Sequence, residues 1–213
     1  MTVTGLVLYE ASVSDYDRRI KILTKERGKI TVFARGARRP NSKFVAATNP
    51  FSFGTFKLYP GKEAYNLVEA HIENYFEFMR TDFSGAMYGM YFLEIADYYS
   101  RENNDEVALL KLLYQSLRAI GVEKIPNELV RYIYEIKVIV VNGEFPGILP
   151  DMELLPDTKY TIEYIVNAKI EKIYTFVVSE EVMKQLAYCA KNYRTKCIGR
   201  QFKSLEILES CIV

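Results

Sequence analysis

Residues 33–44 read FARGARRPNSKF, which places Arg35, Arg38, Arg39 and Lys43 around a glycine and a proline. Such a segment is predicted to be an exposed loop. Unpaired cations are costly to bury, and Gly36 and Pro40 break regular structure. Over residues 18–43, Arg18, Arg19, Lys21, Lys25, Arg27, Lys29, Arg35, Arg38, Arg39 and Lys43 face one acid, Glu26. Concentrated positive charge attracts polyanions and speeds their encounter. The chemistry on offer is electrostatic capture of a phosphate backbone, and Lys62, in a second loop, is a further candidate.

Other chemistries lack their residues. One histidine, His71, excludes sites built on several imidazoles, and its place at the end of a predicted strand reads as a surface or junction residue. No GxxxxGK[ST] occurs, since Gly61-Lys62 is followed by Glu63, and no GxGxxG follows a strand. Cys189, Cys197 and Cys211 contain no closely spaced pair, so neither a zinc cage nor a disulfide framework is readable. Asp15 and Asp17 lie in ASVSDYDRR, which reads as a turn rather than as the carboxylate pair of a metal-dependent nuclease. No catalytic residue, metal or cofactor is expected, and the chain is not expected to be an enzyme.

The elements that must position the cations follow from periodicity. Residues 3–9 (VTGLVLY), 19–24 (RIKILT) and 29–34 (KITVFA) are short, β-branched and partly alternating, with KERG (25–28) as the tight turn between the last two. Residues 42–48 are predicted to form one or two helical turns ended by Asn49-Pro50. Residues 51–59 and 64–71 are two more strands joined through Pro60-Gly61-Lys62. Five strands with an interruption after the third predict a barrel of the OB type. Such barrels bind nucleic acid across strands two and three and the loops joining strands one to two and four to five. Phe33, Phe53, Phe56, Tyr59 and Tyr65 lie in or beside these strands, where aromatic faces can stack bases, although alternation turns about half of them inward.

From residue 81 the period becomes helical. Phe83, Met87, Met90, Tyr91, Ile95 and Tyr98 mark one helix, with Thr81 or Asp82 as its cap; residues 105–120 and 127–142 form two more, stopped by Gly121 and Gly143. Residues 143–158 are a loop punctuated by Pro146, Pro150 and Pro156. In 161–178, Ile162, Tyr164 and Val166 alternate like a strand that 173–178 could pair with across residues 167–169. One helix starts near Ser179, and residues 202–208 form a short last one. The fold class is α+β: an OB domain over 1–80, then a mainly helical domain over 81–213 with an irregular or β insertion near 144–178.

Composition agrees with this division. At 49% hydrophobic the chain has ample material for packed cores, and no apolar run approaches the length of a membrane span. MTVTGLVLYE does not read as a signal peptide, and three scattered cysteines suit a reducing compartment, so a cytoplasmic location is expected. The net charge of +1 hides an asymmetry: residues 1–80 carry 13 Lys/Arg against 8 Asp/Glu, and the remainder 15 against 19.

The run SDYDRRIKILTKERGKITVFARGARRPNSKF, followed by NPFSFGTFKLYPG, resembles the N-terminal domain of RecO, the bacterial DNA repair and recombination mediator. MYFLEIADYY and the closing GRQFKSLEIL are similar to the family's helical part. The resemblance implies an OB domain followed by a helical domain, binding to single- and double-stranded DNA, and annealing of complementary strands. It also implies work with RecR and single-stranded-DNA-binding protein in loading recombinase, in a cytoplasmic, nucleoid-associated setting. In the family the acidic tail of single-stranded-DNA-binding protein docks on the helical region, where Arg131, Lys137 and Lys203 are conceivable anchors. Many members carry a four-cysteine zinc motif after the helix corresponding to 127–142. Here GEFPGILPDMELLPDTKYTIEYIV has no cysteine, so the segment must be held by packing, with Tyr160, Ile162 and Tyr164 as candidates. The alternative from another class is an OB-fold adaptor that binds proteins, with nucleic-acid contact incidental.

Overall fold

The computed structural model of the chain describes residues 1–62, 64–148 and 153–211. Glu63 beside Lys62, and Pro150 in the expected loop, lie outside the described residues. Five strands, β1 (Thr2–Ser12), β2 (Arg18–Thr24), β3 (Gly28–Ala34), β4 (Phe53–Pro60) and β5 (Tyr65–Asn74), close into a barrel in the order β1-β2-β3-β5-β4. All pairings are antiparallel except β3 with β5. The OB-type architecture read from the strand spacing is the one observed.

Alternation builds the barrel interior. Ile20 and Ile22 of β2, Ile30, Val32 and Ala34 of β3, Val3 and Val7 of β1, and Phe56 and Leu58 of β4 are buried together. Their neighbours along each strand point outward, as the two-residue period of a strand requires. The 42–48 segment is a chain of turns rather than a regular helix: Ser42, Val45 and Asn49 donate backbone N–H groups to carbonyls three residues back, and Thr48 to the one four back.

Helix α1 (Phe83–Tyr99) starts where Asp82 accepts a hydrogen bond from Gly85 N, as its capping role predicted. The chain divides into two compact units, Met1–Leu110 and Lys111–Val213, so that α1 and the start of α2 (Val107–Ile120) belong with the barrel. The reason is visible in unit one. The hairpin turn at Gly28 pairs with residues just past α1, Lys29 N donating to Arg101 O and Asn103 N to Arg27 O. Gly28 has φ +63°, and a Cβ there would stand 2.2 Å from Arg101 O. Only glycine permits both the turn and that approach.

The second unit holds α3 (Asn127–Val141), α4 (Pro156–Asn167), α5 (Glu180–Cys197) and α6 (Lys203–Cys211). Ser179 caps α5 through Val182 N. The strand reading of 161–178 is corrected: residues 156–167 are helical, and no strand occurs in the described part of 144–178. Thr158, Thr161, Ile162 and Ile165 form the buried stripe at helical spacing, and Pro156 sits in the first turn, where its fixed φ suits a helix start. Of the residues expected to hold this segment, Ile162 is buried and Tyr164 meets Phe176 edge-on at 5.3 Å, whereas Tyr160 faces outward. No helix among the described residues is long and apolar enough to cross a membrane.

Candidate nucleic-acid interface

The strand directions bring three connections to one end of the barrel. β1 ends and β2 begins there; β3 ends beside the start of β5, Val32 lying opposite Tyr65 and Phe33 opposite Asn66. β4 ends there too, Pro60 opposite Tyr65. The loop after β1, the basic connection after β3 and the turn before β5 therefore share one rim.

Hydrogen bonds shape that rim. Asp17 Oδ1 accepts from Gly36 N at 2.7 Å, Arg38 N donates to Tyr16 O at 2.9 Å, and Arg38 Nη1 donates to Ser14 O at 2.9 Å. The Arg39 guanidinium lies 5.2 Å from the centre of the Tyr16 ring. Gly36, at φ +67°, makes the bend that turns this segment back onto the β1–β2 loop. Asp17 is thus a turn residue that holds the arginine loop, as its setting in ASVSDYDRR suggested.

Arg19, Arg35, Arg38, Arg39, Lys43 and Lys62 are all exposed, and no carboxylate among the described residues lies within 4 Å of them. Arg19 projects from the outer face of β2, opposite Phe33 on β3 and Ala11 on β1. Exposed Tyr16 and Tyr59 and half-buried Phe33 accompany them. Phe56 is inside the barrel, and Tyr65 packs partly against its core; Phe53 is half-buried.

Five residues of the basic run are placed elsewhere. Arg18 is consumed internally: Nε pairs with Glu10 at 2.8 Å, and Nη1 donates to Val45 O, Thr48 Oγ1 and Asn49 Oδ1. It staples the 45–49 turns to the barrel. Lys21 and Lys29 both bind Asp97 of α1, at 2.9 and 2.8 Å. Burial works to raise the Asp97 pKa, but the hydrogen bonds and charges of the two lysines win and hold it below the ordinary carboxylate value. Lys25 and Arg27 are exposed but sit in the β2–β3 turn, about 20 Å from Arg19 by strand length. A window along the sequence counts only acids nearby in the chain, and Glu10 and Asp97 arrive through pairing and folding.

Tyr16 and Asp17 lie in the loop joining strands one and two, residues 10–17, which the barrel type assigns to the interface, although neither is singled out by charge. Their signal was an exposed-type Tyr between turn-forming acids, directly ahead of Arg18-Arg19. His71 is exposed on β5, as its position predicted.

In the second unit, two of the three conceivable partner anchors are internal. Arg131 bonds Glu135 Oε1 at 3.0 Å and Glu209 at 2.7 Å, and Arg194 joins it on Glu135 at 2.8 Å. The fully buried Glu135 needs such cations, because an ionised carboxylate in the interior is otherwise too costly. Lys137 is buried and donates to Val166 O at 2.7 Å and Ala168 O at 2.9 Å, at the C-terminus of α4; burial lowers its pKa. Lys203 alone is exposed. Cys189 is buried, with its thiol pKa pushed up to about 11; Cys197 is half-buried and Cys211 exposed. No group of three His, Cys, Asp or Glu among the described residues is arranged to hold a metal ion.

Comparison with known proteins matches the chain to two adjoining family segments. A family model described as Recombination protein O N terminal matches residues 1–76, which contain the whole barrel, and one described as Recombination protein O C terminal matches residues 80–147. A DNA repair protein RecO of Acetivibrio thermocellus is 24% identical, the match covering 99% of this chain and 96% of that relative. One of Clostridium perfringens strain 13 is 26% identical, covering 96% of each. One of Bacillus pumilus is 31% identical over 67% of this chain and 55% of its own length. The barrel with its cationic rim, the helices that follow and these matches along nearly the whole length agree: this chain belongs to the RecO (Recombination protein O) family.

Proposed function

We propose that this protein is a recombination mediator in DNA repair that grips DNA at the rim formed by the β1–β2 loop, residues 35–43 and the turn near Lys62. The observation that carries this reading is the grouping of six exposed cations at one barrel end, free of described carboxylate partners and beside exposed Tyr16 and Tyr59. Phosphates would lie along Arg19, Arg35, Arg38, Arg39, Lys43 and Lys62. Bases would stack on Tyr16, Tyr59 and the half-exposed Phe33, at about 1–3 kcal/mol each. None of these contacts reads base edges, so binding to single and double strands is sequence-tolerant.

A mediator of this kind acts by holding and aligning strands, not by making or breaking bonds. RecR and single-stranded-DNA-binding protein are the protein partners we propose, in a cytoplasmic, nucleoid-associated setting. For the second unit only Lys203 remains from the anchors considered, since Arg131 and Lys137 serve the fold.

Titrating labelled single strands across a range of salt concentrations tests the proposal. With about 0.7 units of log–log slope per phosphate neutralised on a single strand, six cations give a slope near −4. Absence of binding at low salt unless a protein partner is added would instead favour a protein-binding adaptor. Mixing complementary strands with the protein tests annealing directly, and intact strands after incubation with Mg²⁺ or Mn²⁺ would count against a nuclease.

A further inference from the structure

The cationic rim continues inward along the outer faces of β2 and β3, and there a carboxylate already covers it. Arg19 lies opposite Phe33, Lys21 opposite Thr31, and Leu23 opposite Lys29, all on the outward side of the sheet. Lys21 is two residues from Arg19, about 7 Å further along the strand, on the same face. Tyr9, across from Lys21 on β1, is half exposed, and the Lys21 ammonium lies 5.7 Å from its ring centre. Asp97 receives Lys21 Nζ on Oδ2 at 2.9 Å and more weakly on Oδ1 at 3.1 Å, and Lys29 Nζ on Oδ1, while Lys29 Nζ also donates to the Asp97 main-chain carbonyl. Two ammonium groups on the two oxygens of one anion is the pattern a phosphodiester would present through its two non-bridging oxygens.

We propose that Asp97 is a built-in stand-in for a DNA phosphate, which limits the length of the DNA track by masking Lys21 and Lys29. The proposal rests on the reading of the rim as a DNA-binding surface. Two observations separate it from a purely structural clamp. First, α1 has other anchorage: Tyr88, Tyr91, Phe92, Ile95 and Ala96 are buried, and the backbone just past the helix pairs with the Gly28 turn. Second, the cluster is partly accessible: the Lys21, Asp97 and Lys29 side chains keep 36%, 27% and 19% of their surface in contact with solvent. The cluster of two cations and one anion therefore keeps a net positive charge beside the open rim. Without the carboxylate, the row from Arg19 through Lys21 to Lys29 carries no acid, Lys29 keeping only its bond to the Asp97 main-chain carbonyl.

The test measures single-strand binding of the full chain across salt for wild type, Asp97→Asn and Asp97→Ser. Both variants are expected to bind several-fold more tightly at moderate salt. Their log–log slope should steepen by about 1.4 units, the share of two further phosphates. Adding Lys21→Ala and Lys29→Ala to Asp97→Asn should return the slope to the wild-type value. Salt-sensitive wild-type binding with an unchanged slope in both Asp97 variants overturns the masking role and leaves the rim reading standing. If the wild type shows no salt-sensitive binding, both readings fall. Loss of folding in both variants, read from their melting curves, also overturns the proposal, because it requires α1 to stay docked without the carboxylate.

Discussion

Asp17 Oδ1 accepts the backbone N–H of Gly36 at 2.7 Å, so an acid from the β1–β2 loop fixes the bend that presents Arg35, Arg38 and Arg39. The carboxylate sits beside these cations but forms no ion pair with them among the described residues, its Oδ1 being turned to the backbone. Its Cα neighbours contribute as well: Ser14 Oγ accepts from Asp17 N, and Val13 N donates to Asp17 O. Asp17→Ala is expected to cost about 1–2 kcal/mol of stability, as a charge-assisted bond to a backbone donor is lost. Removing a negative charge should by itself favour DNA. A fall in DNA affinity measured for this variant would therefore report the loss of loop order, and a rise would show that the loop's shape does not matter.

The arginines themselves should act on every sequence alike. Replacing Arg38 and Arg39 together by Ala is expected to weaken binding to single strands of any composition and to flatten the log–log salt slope by about 1.4 units. The double variant gives up one backbone bond, Arg38 to Ser14 O, and one ring contact, Arg39 over Tyr16, so its melting temperature should move little. An unchanged slope would remove this loop from the interface.

Gly28 carries two constraints at once, a left-handed backbone and the close approach of Arg101 O. Gly28→Ala is expected to destabilise by more than about 1 kcal/mol, since the added Cβ pays for positive φ and also collides with backbone. Thermal unfolding followed by circular dichroism measures it. A variant as stable as wild type would mean that the β2–β3 turn is not bound to the segment after α1.

What the sequence made legible here was whatever depends on local period. β-branched alternation in 19–24 and 29–34 located the barrel's hairpin, and turn chemistry in ASVSDYDRR and KERG located its ends. The helices over 83–99 and 127–141 followed from apolar spacing and from Asp82 and Gly143 at their limits. Residues 156–167 misled because Ile162, Tyr164 and Val166 satisfy a two-residue period, while the stripe that wins runs through Thr158, Thr161, Ile162 and Ile165. Threonines do not announce themselves as core. The site was legible as a charge excess but not as a list. Glu10 and Asp97 reach Arg18, Lys21 and Lys29 only through strand pairing and helix docking, which no count along the chain contains.

The Asp97 cluster also has a pH signature. Its pKa lies below the ordinary carboxylate value of 3.8 in the folded chain, held there by Lys21 and Lys29 against the effect of burial. A depressed folded pKa adds stability that is fully present above the unfolded pKa and is lost as pH falls through the folded one. The partial exposure of the cluster limits this to about 1 kcal/mol. Wild type should therefore melt slightly above Asp97→Asn at neutral pH, and the gap should close as pH drops below about 4. A gap that persists at lower pH would assign the difference to packing of the side chain rather than to its charge.

Lys137 closes the C-terminal end of α4. Its ammonium reaches the last carbonyls of that helix, Val166 O and Ala168 O, from the buried face of α3. A cation at a helix C-terminus meets both unsatisfied acceptors and the negative end of the helix dipole. Lys137→Met keeps the length and apolar stem of the side chain but leaves two carbonyls without their donor. The expected cost is about 1–3 kcal/mol, or a drop of several degrees in melting temperature. The loss should be local at first, so limited proteolysis ought to cut within residues 153–169 before it cuts the barrel. DNA binding should keep its wild-type salt slope, because the rim lies in the other unit and Lys137 contributes no charge to it. A variant that loses binding while its α4 remains protected would give Lys137 a role in recognition after all, and a variant with unchanged melting would show that α4 is held by Ile162 and Ile165 alone.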